Sequence, residues 1–456
     1  MLKPYLQDVP IKYEDIPPIR LGGGENTFGS PFEIQQSESR ESRNVSSRLV
    51  PALSVRPGRA DSGIEVTTPN ILGQRNNQYI HVQDGTTWKY WDGDEFQTVQ
   101  GNLTSATGKF VDFSTGTTRY TILANGADVY SWDGTTATKL TNAPASKLIT
   151  AHKGRLYMAR DNDIMFCGLN KIDDWSTAND AGSIDVTRAY GPITALTEFR
   201  DFVTAFTEYS MHVLYGTGPT NYNLADVSSE DGCISDKSVV ENGGVLYWMD
   251  HGWIKAYNGA GLPEKISDKV SMYLEGITDK TKITAGKSGK YVYWSIPYKS
   301  EENNIILEYD TMLGTWYPHT GNIIDFVNIG DTLYGMDSAG KLWKMYTGTD
   351  DGETPIEWYH ITGPWFYNTL RKKALSNLWV SVDLPTGSTL TISASETVDN
   401  DDFELLYTFT ASSDEKNVRV QLPISKLHRV DWFRLKFAGT GPCTIHFVEP
   451  RLRVKK

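Results

Sequence analysis

Cysteine is scarce in this chain: three residues in 456, Cys167, Cys233 and Cys443, all far apart. An odd, scattered set excludes a disulfide framework and a cysteine zinc cluster, and it fits a reducing compartment. No apolar run approaches the roughly 18 residues of a membrane-crossing helix, so no membrane span is expected. Met1-Leu2-Lys3-Pro4 does not begin a basic-then-apolar leader, so no secretory signal is expected. Basic side chains are outnumbered, 44 Lys and Arg against 56 Asp and Glu, for a formal net charge of −12. That balance argues against a protein that grips nucleic acid through its phosphates. Helical periodicity is nearly absent: in the best stretch, 267–276, Val270, Met272 and Leu274 make no apolar stripe.

What the chain does hold is 13 Trp, 24 Tyr and 40 Gly, with 39% hydrophobic residues, enough for a sizeable core. Glycine turns between short aromatic and β-branched runs are the profile of an all-β chain. Charge is uneven. Residues 1–60 sum to +1 and residues 357–456 to +2, so residues 61–356, with 23 basic and 38 acidic side chains, carry −15. Such a segment is either a surface tuned for solubility or an acidic wall facing a polyanion that must not adhere.

The middle of the chain repeats. A short apolar run, a turn, and a second run ending in aromatics recur about every 36–46 residues, the period of a propeller blade. The first runs begin at Gln78, Arg119, Arg155, Asp201, Val245, Tyr291 and Thr332; their partners begin at Thr87, Asp128, Asp163, Met211, Trp253, Ile305 and Lys341. A third run often precedes the pair, as at Ile193–Leu196 and Ile323–Val327. Asp84-Gly85, Asp92-Gly93, Asp133-Gly134 and Asn258-Gly259 supply the positive φ that tight hairpins need. Residues 70–356 therefore read as one β-propeller of seven blades, with six as the alternative, against a competing reading of two stacked β-sandwiches. Residues 1–69, with Pro4, Pro10, Pro17, Pro18, Gly22-Gly23-Gly24 and a polar stretch from Gln35 to Ser47, read as an extended N-terminal arm. Residues 357–456 alternate in six runs, among them Leu378–Val382, Thr389–Ser393 and Trp432–Phe437, and read as a C-terminal β-sandwich with one buried and one wet face.

No catalytic signature is present: no Gly-x-Ser-x-Gly, no His-Glu-x-x-His, no phosphate-binding glycine loop. His81, His152, His212, His251, His319, His360, His428 and His446 show no ligand spacing, so no metal is expected. Asp161-Asn162-Asp163 starts like a calcium loop, but Phe166 stands at the sixth position and Ile172 at the twelfth, with Asp173 just beyond, so it reads as a hairpin turn. The acidic clusters Asp173-Asp174-Trp175 and Asp399–Asp402 could supply paired carboxylates. Yet Val82 to Trp88 misplaces the glycine of the sialidase turn. No catalytic, cofactor-binding or metal residue is assigned, and no enzyme is expected. Arg451 to Lys456 reads as a last strand with a solvated basic end. Trp88, Trp91, Trp132, Trp253 and Trp343 are either inter-blade core or stacking platforms for sugars; the second would make the chain a receptor- or glycan-binding propeller.

Three stretches resemble bacteriophage tail hub or nozzle proteins of the packaged-DNA-stabilisation kind. The first runs from Gly24-Glu25-Asn26-Thr27 through Arg43-Asn44-Val45 to Ser54-Val55-Arg56-Pro57-Gly58. The second joins Ile193–Leu196 to Phe199–Val203 and Val213–Gly218, and the third is the terminal segment with Trp432-Phe433-Arg434-Leu435-Lys436. The resemblance implies a structural protein of a phage tail or neck, assembled in the host cytoplasm into a ring, usually of six copies. Such a ring extends the portal channel, contacts the portal, an adaptor and other tail proteins, helps retain packaged DNA and passes it without sequence-specific binding. It implies no catalytic residue and no cofactor.

Overall fold

The computed structural model describes residues 12–186, 191–367, 372–398, 402–423, 427 and 430–454. The chain is all-β and divides into two compact units: Asp61–Leu307 with Gly321–Met345, and Met1–Ala60 with Glu308–Thr320 and Tyr346–Lys456.

Among the described residues the first unit is a succession of sheets, all but the last formed by four consecutive antiparallel strands. The first sheet comprises Pro69–Arg75, Tyr79–Asp84, Thr87–Trp91 and Phe96–Gln100. The second spans Lys109–Ser114 to Ala137–Lys139, the third Ile149–His152 to Gly182–Asp185, the fourth Ile193–Phe199 to Asn223–Ser228. The fifth runs from Val240–Asn242 to Glu264–Lys265 and the sixth begins with Thr284–Ser288 and Tyr291–Ile296. The last holds Ile323–Ile329, Thr332–Asp337 and Lys341–Met345, and its fourth strand is Arg59–Glu65, from before the first sheet. Every expected pair of runs falls, to within a residue, on a pair of adjacent strands.

Leading strands touch in sequence, first to second, second to third, third to fourth, fifth to sixth, sixth to last and last to first. Between the fourth and fifth sheets the short turn Asp236–Ser238 touches strands of both. The cores lie between neighbouring sheets, as at Ile71, Trp88, Leu123 and Trp132, or Leu156, Met158, Ile122 and Phe113. One further cluster joins Ile64, Val66, Val327 and Met336 to Leu72, Ile80 and Val82, closing the last sheet onto the first. Radial sheets with interleaved cores and a last sheet completed by a strand from before the first make this unit a β-propeller.

The second unit has two sheets. One orders Val45–Ser46, Leu53–Val55, Thr444–Val454, Lys373–Leu384 and Glu415–Pro423; the other orders Ser39–Arg43, Glu357–Thr362, Arg434–Thr440, Thr389–Ser395 and Glu404–Thr410. Both contribute to one apolar cluster, which includes Leu378, Val380, Leu390, Ile392, Phe433, Leu435, Phe437, Ile445 and Val448.

The expected divisions at residues 69/70 and 356/357 are corrected accordingly. Residues 16–60 are not an extended arm: Leu21, Val45 and Leu53 are buried, and Ser39–Arg43 pairs with Glu357–Thr362. The polar stretch conceals its burial because its polar groups are satisfied, as where Glu25 accepts from the Ser42 amide (2.6 Å) and hydroxyl (2.7 Å).

Candidate functional site

Where the leading strands of the propeller unit begin, they surround a recess. Its larger lobe, about 370 Å³, is lined by Asn70, Thr107, Lys147, Thr194, Asp236 and Lys237, among others. A second lobe of about 300 Å³ shares Asn70, Lys237 and Thr281 with the first and adds Lys282, Glu302 and Asn303. The two linings together draw on the leading strand of each sheet or on the segment just before it, which marks the recess as axial.

Two ion pairs cross the axis. Lys109, on the second sheet, reaches Asp236 (Nζ to Oδ2 2.8 Å) and donates to the Leu196 carbonyl on the fourth (2.9 Å). Lys237 reaches Asp325 on the last sheet (3.2 Å) and donates to the Asn70 carbonyl on the first (3.2 Å). Asp325 also accepts from the Leu72 amide (2.9 Å) and the Thr284 hydroxyl (3.3 Å), so one carboxylate ties three sheets. Asp236 and Lys237 are adjacent in sequence, and the turn that carries them projects their charges to opposite sides.

A second constellation lies in a cavity of about 600 Å³ lined by Ser210, His212, Asp226 and Ser228. His212 and Asp226 are cross-strand partners, with Nδ1 to Oδ1 at 2.9 Å, and the Ser210 hydroxyl lies 2.7 Å from His212 Nε2. This is the connectivity of a Ser-His-Asp relay. Sequence inspection missed it; Ser210 and His212 at i, i+2, facing an acid on the next strand, are the signal that could have found it. The geometry, however, is that of a clamp. Ser210 is 1% exposed, and its hydroxyl is also held 2.7 Å from the Thr207 hydroxyl. The nearby amides of Tyr209 and Ser210 both donate to Thr207 Oγ1 rather than pointing at a place for an oxyanion.

In the second unit, residues from successive parts of the first motif stretch converge. Asn44 accepts from Arg56 Nε at 3.0 Å and donates to the Glu357 carbonyl at 2.7 Å. Arg56 forks onto both oxygens of Asp351 at 3.0 and 2.7 Å. A Cβ on Gly58 would stand 1.9 Å from the Asp350 carbonyl oxygen, so glycine is required there. Around the same knot His319 is fully enclosed, and burial, with Arg56 and Arg48 nearby, holds its imidazole well below the usual range.

Trp88 and Trp132 are buried between the first and second sheets, where Trp88 Nε1 donates to His81 Nδ1 at 2.9 Å. Trp253 is capped by Lys265 (Nζ 3.7 Å from the ring centroid) and Trp343 by Lys341 (4.6 Å); Trp91 packs on Phe96. Asp161 to Asp163 forms the hairpin turn between Arg155–Arg160 and Asp163–Phe166. Asp174 pairs with Lys171. Residues 399–401 of the other acidic cluster, His428, and Lys455 and Lys456 lie outside the described residues. Among the described residues no three His, Cys, Asp or Glu are grouped to hold a metal ion, and no helix is long and apolar enough to cross a membrane.

No protein-family model matches the chain, and no curated protein sequence matches it. Among solved structures, it is similar to the extracellular domain of BT4673 from B. thetaiotaomicron (10% identity, TM-score 0.46), covering 80% of this chain and 47% of that one. It thus spans less than half of that neighbour. It is also similar to BamB from Moraxella catarrhalis (10% identity, TM-score 0.42, 73% and 98% covered) and to a chain of the Mitotic Checkpoint Complex (13% identity, TM-score 0.42, 64% and 92% covered).

Proposed function

We propose that this chain is a structural virion protein of a phage tail or neck, a hub or nozzle in which a seven-bladed propeller is joined to a β-sandwich. Copies assemble into a ring of six that extends the portal channel, helps retain packaged DNA and lets it pass during ejection. The blade count is supported by six sheets of consecutive strands and a last one completed by Arg59–Glu65. The sandwich reading is supported by the single cluster shared by the two sheets of the second unit.

The observation that carries the functional reading is the knot of Asn44, Arg56 and Gly58. Residues on which the resemblance to hub proteins rests are ones that hold the second unit together. Charge adds support. The propeller unit carries a formal −10 and the second unit −2, and an acidic wall leaves a duplex free to slide. The ion pairs across the axis make the propeller a braced disc, so the DNA channel belongs to the ring and not to one propeller. Burial of Trp88 and Trp132 removes two of the sugar platforms of the competing glycan-binding reading.

Mass photometry of the purified chain, alone and with a portal–adaptor complex, tests the assembly. A closed ring in either sample is expected; a monomer in both would count against it.

A further inference from the structure

We propose that the axial recess of the propeller unit binds a small hydroxylated oxyanion, a sugar carrying a carboxylate or phosphoryl group. The inference rests on the recess alone and is independent of the virion role.

Each lobe presents one exposed lysine that forms no ion pair among the described residues. Lys147, in the larger lobe, makes no hydrogen bond either, and Lys282, in the smaller, donates only to the Glu301 carbonyl at 2.7 Å. The nearest acid to Lys282 on its own turn, Asp279, is held chiefly by the hydroxyl and amide of Thr281. Lys237 stands in the wall between the lobes, already anchored to Asp325. Of the two lining carboxylates, Asp236 is committed to Lys109 and to the Leu196 amide (3.0 Å), which leaves Glu302. Lys147 and Lys282 thus outnumber the one uncommitted lining carboxylate, and ammonium groups of this kind bind carboxylate and phosphate oxygens.

Asn303 supplies the second half of the recognition. It is 4% exposed and lines the same lobe as Lys282. Its Nδ2 donates to the carbonyls of Ile323 (2.8 Å) and Lys282 (2.9 Å), which fixes the amide orientation. Oδ1 is then a buried acceptor with no donor among the described residues, a position that costs free energy unless a small shift of the lobe's wall lets a ligand hydroxyl reach it. A bare anion would engage the lysines and leave Asn303 unmet; a neutral sugar would do the reverse. The lobe volumes suit a monosaccharide-sized ligand, and the surrounding −10 disfavours a long polyanion.

The test is titration calorimetry of the full chain at physiological salt with glucuronate and glucose 6-phosphate as acidic probes, and glucose and inorganic phosphate as controls. At least one acidic probe is expected to bind one-to-one with Kd on the order of 1 mM or tighter, and which one does so separates carboxylate from phosphoryl. Lys147→Met and Lys282→Met should each weaken it about tenfold, Glu302→Gln should strengthen it, and Lys139→Met, on an outer strand, should leave it unchanged. All four positions are exposed, so melting curves should be unaltered. The proposal is overturned if neither acidic probe binds at about 10 mM, if both lysine variants bind as wild type does, or if inorganic phosphate binds as tightly as glucose 6-phosphate.

Discussion

Lys109 and Asp236, 127 residues apart in the chain, stand 2.8 Å apart across the axis of the propeller unit. Their side chains are 29% and 14% exposed, so the pair is only partly screened by solvent. Lys109→Met strands a carboxylate that retains one amide donor. The expected loss is about 1–3 kcal/mol in urea unfolding, and the double variant with Asp236→Asn should lose less than the sum of the two single changes. Strict additivity would show that the two groups do not brace the ring.

Arg75 makes the same kind of link at the rim. From the first sheet it donates to carbonyls of Trp132 (3.0 Å), Arg119 (3.0 Å) and Asp133 (2.7 Å) of the second, and lies 4.9 Å from the Trp132 ring centroid. Arg75→Lys keeps the charge but not the planar fork, and should cost about 1–2 kcal/mol, read as a lower urea midpoint. Equal midpoints would make Arg75 a surface residue only.

Closure of the ring depends on Gly340. Its φ is +91° and a Cβ would lie 1.9 Å from the Val66 carbonyl oxygen, beside the 2.8 Å bond from the Val66 amide to the Gly340 carbonyl. Gly340→Ala should destabilise by about 1–3 kcal/mol, with hydrogen exchange rising first in the strand Arg59–Glu65. An unchanged exchange rate there would deny that this strand closes the propeller.

Acid should weaken the fold through enclosed imidazoles. Burial holds His360 and His81 down at about 3, with Arg75 adding to the effect at His81. Because these rings stay neutral in the fold, unfolding takes up protons between the ordinary value of 6.5 and about 3. Stability therefore falls as pH drops through that window, by at most about 1.4 kcal/mol per pH unit for each group. Both His360 nitrogens are buried without a partner. His360→Leu should raise stability at neutral pH by about 1 kcal/mol and flatten the acid slope of the melting temperature. An unchanged slope would contradict this.

The repeating strand pairs were legible because their apolar and aromatic runs are buried on both faces: Arg155–Arg160 and Tyr291–Ile296 are buried almost throughout. The closing strand was not, since in Arg59–Glu65 only Ile64 is buried. The N-terminal residues escaped for a related reason: Glu25, Ser42, Asn44 and Arg56 are buried but polar, and hydropathy cannot distinguish a satisfied buried polar group from a solvated one. Partners such as Lys109 and Asp236 leave no local pattern at all. The terminal strands were legible singly, but not the N-terminal strands that join their sheets.

The proposed virion role is tested most directly by negative-stain imaging of particles assembled without this protein. Particles that lack the tail or neck extension and lose their genome are predicted; particles with complete tails that retain their DNA would contradict the account.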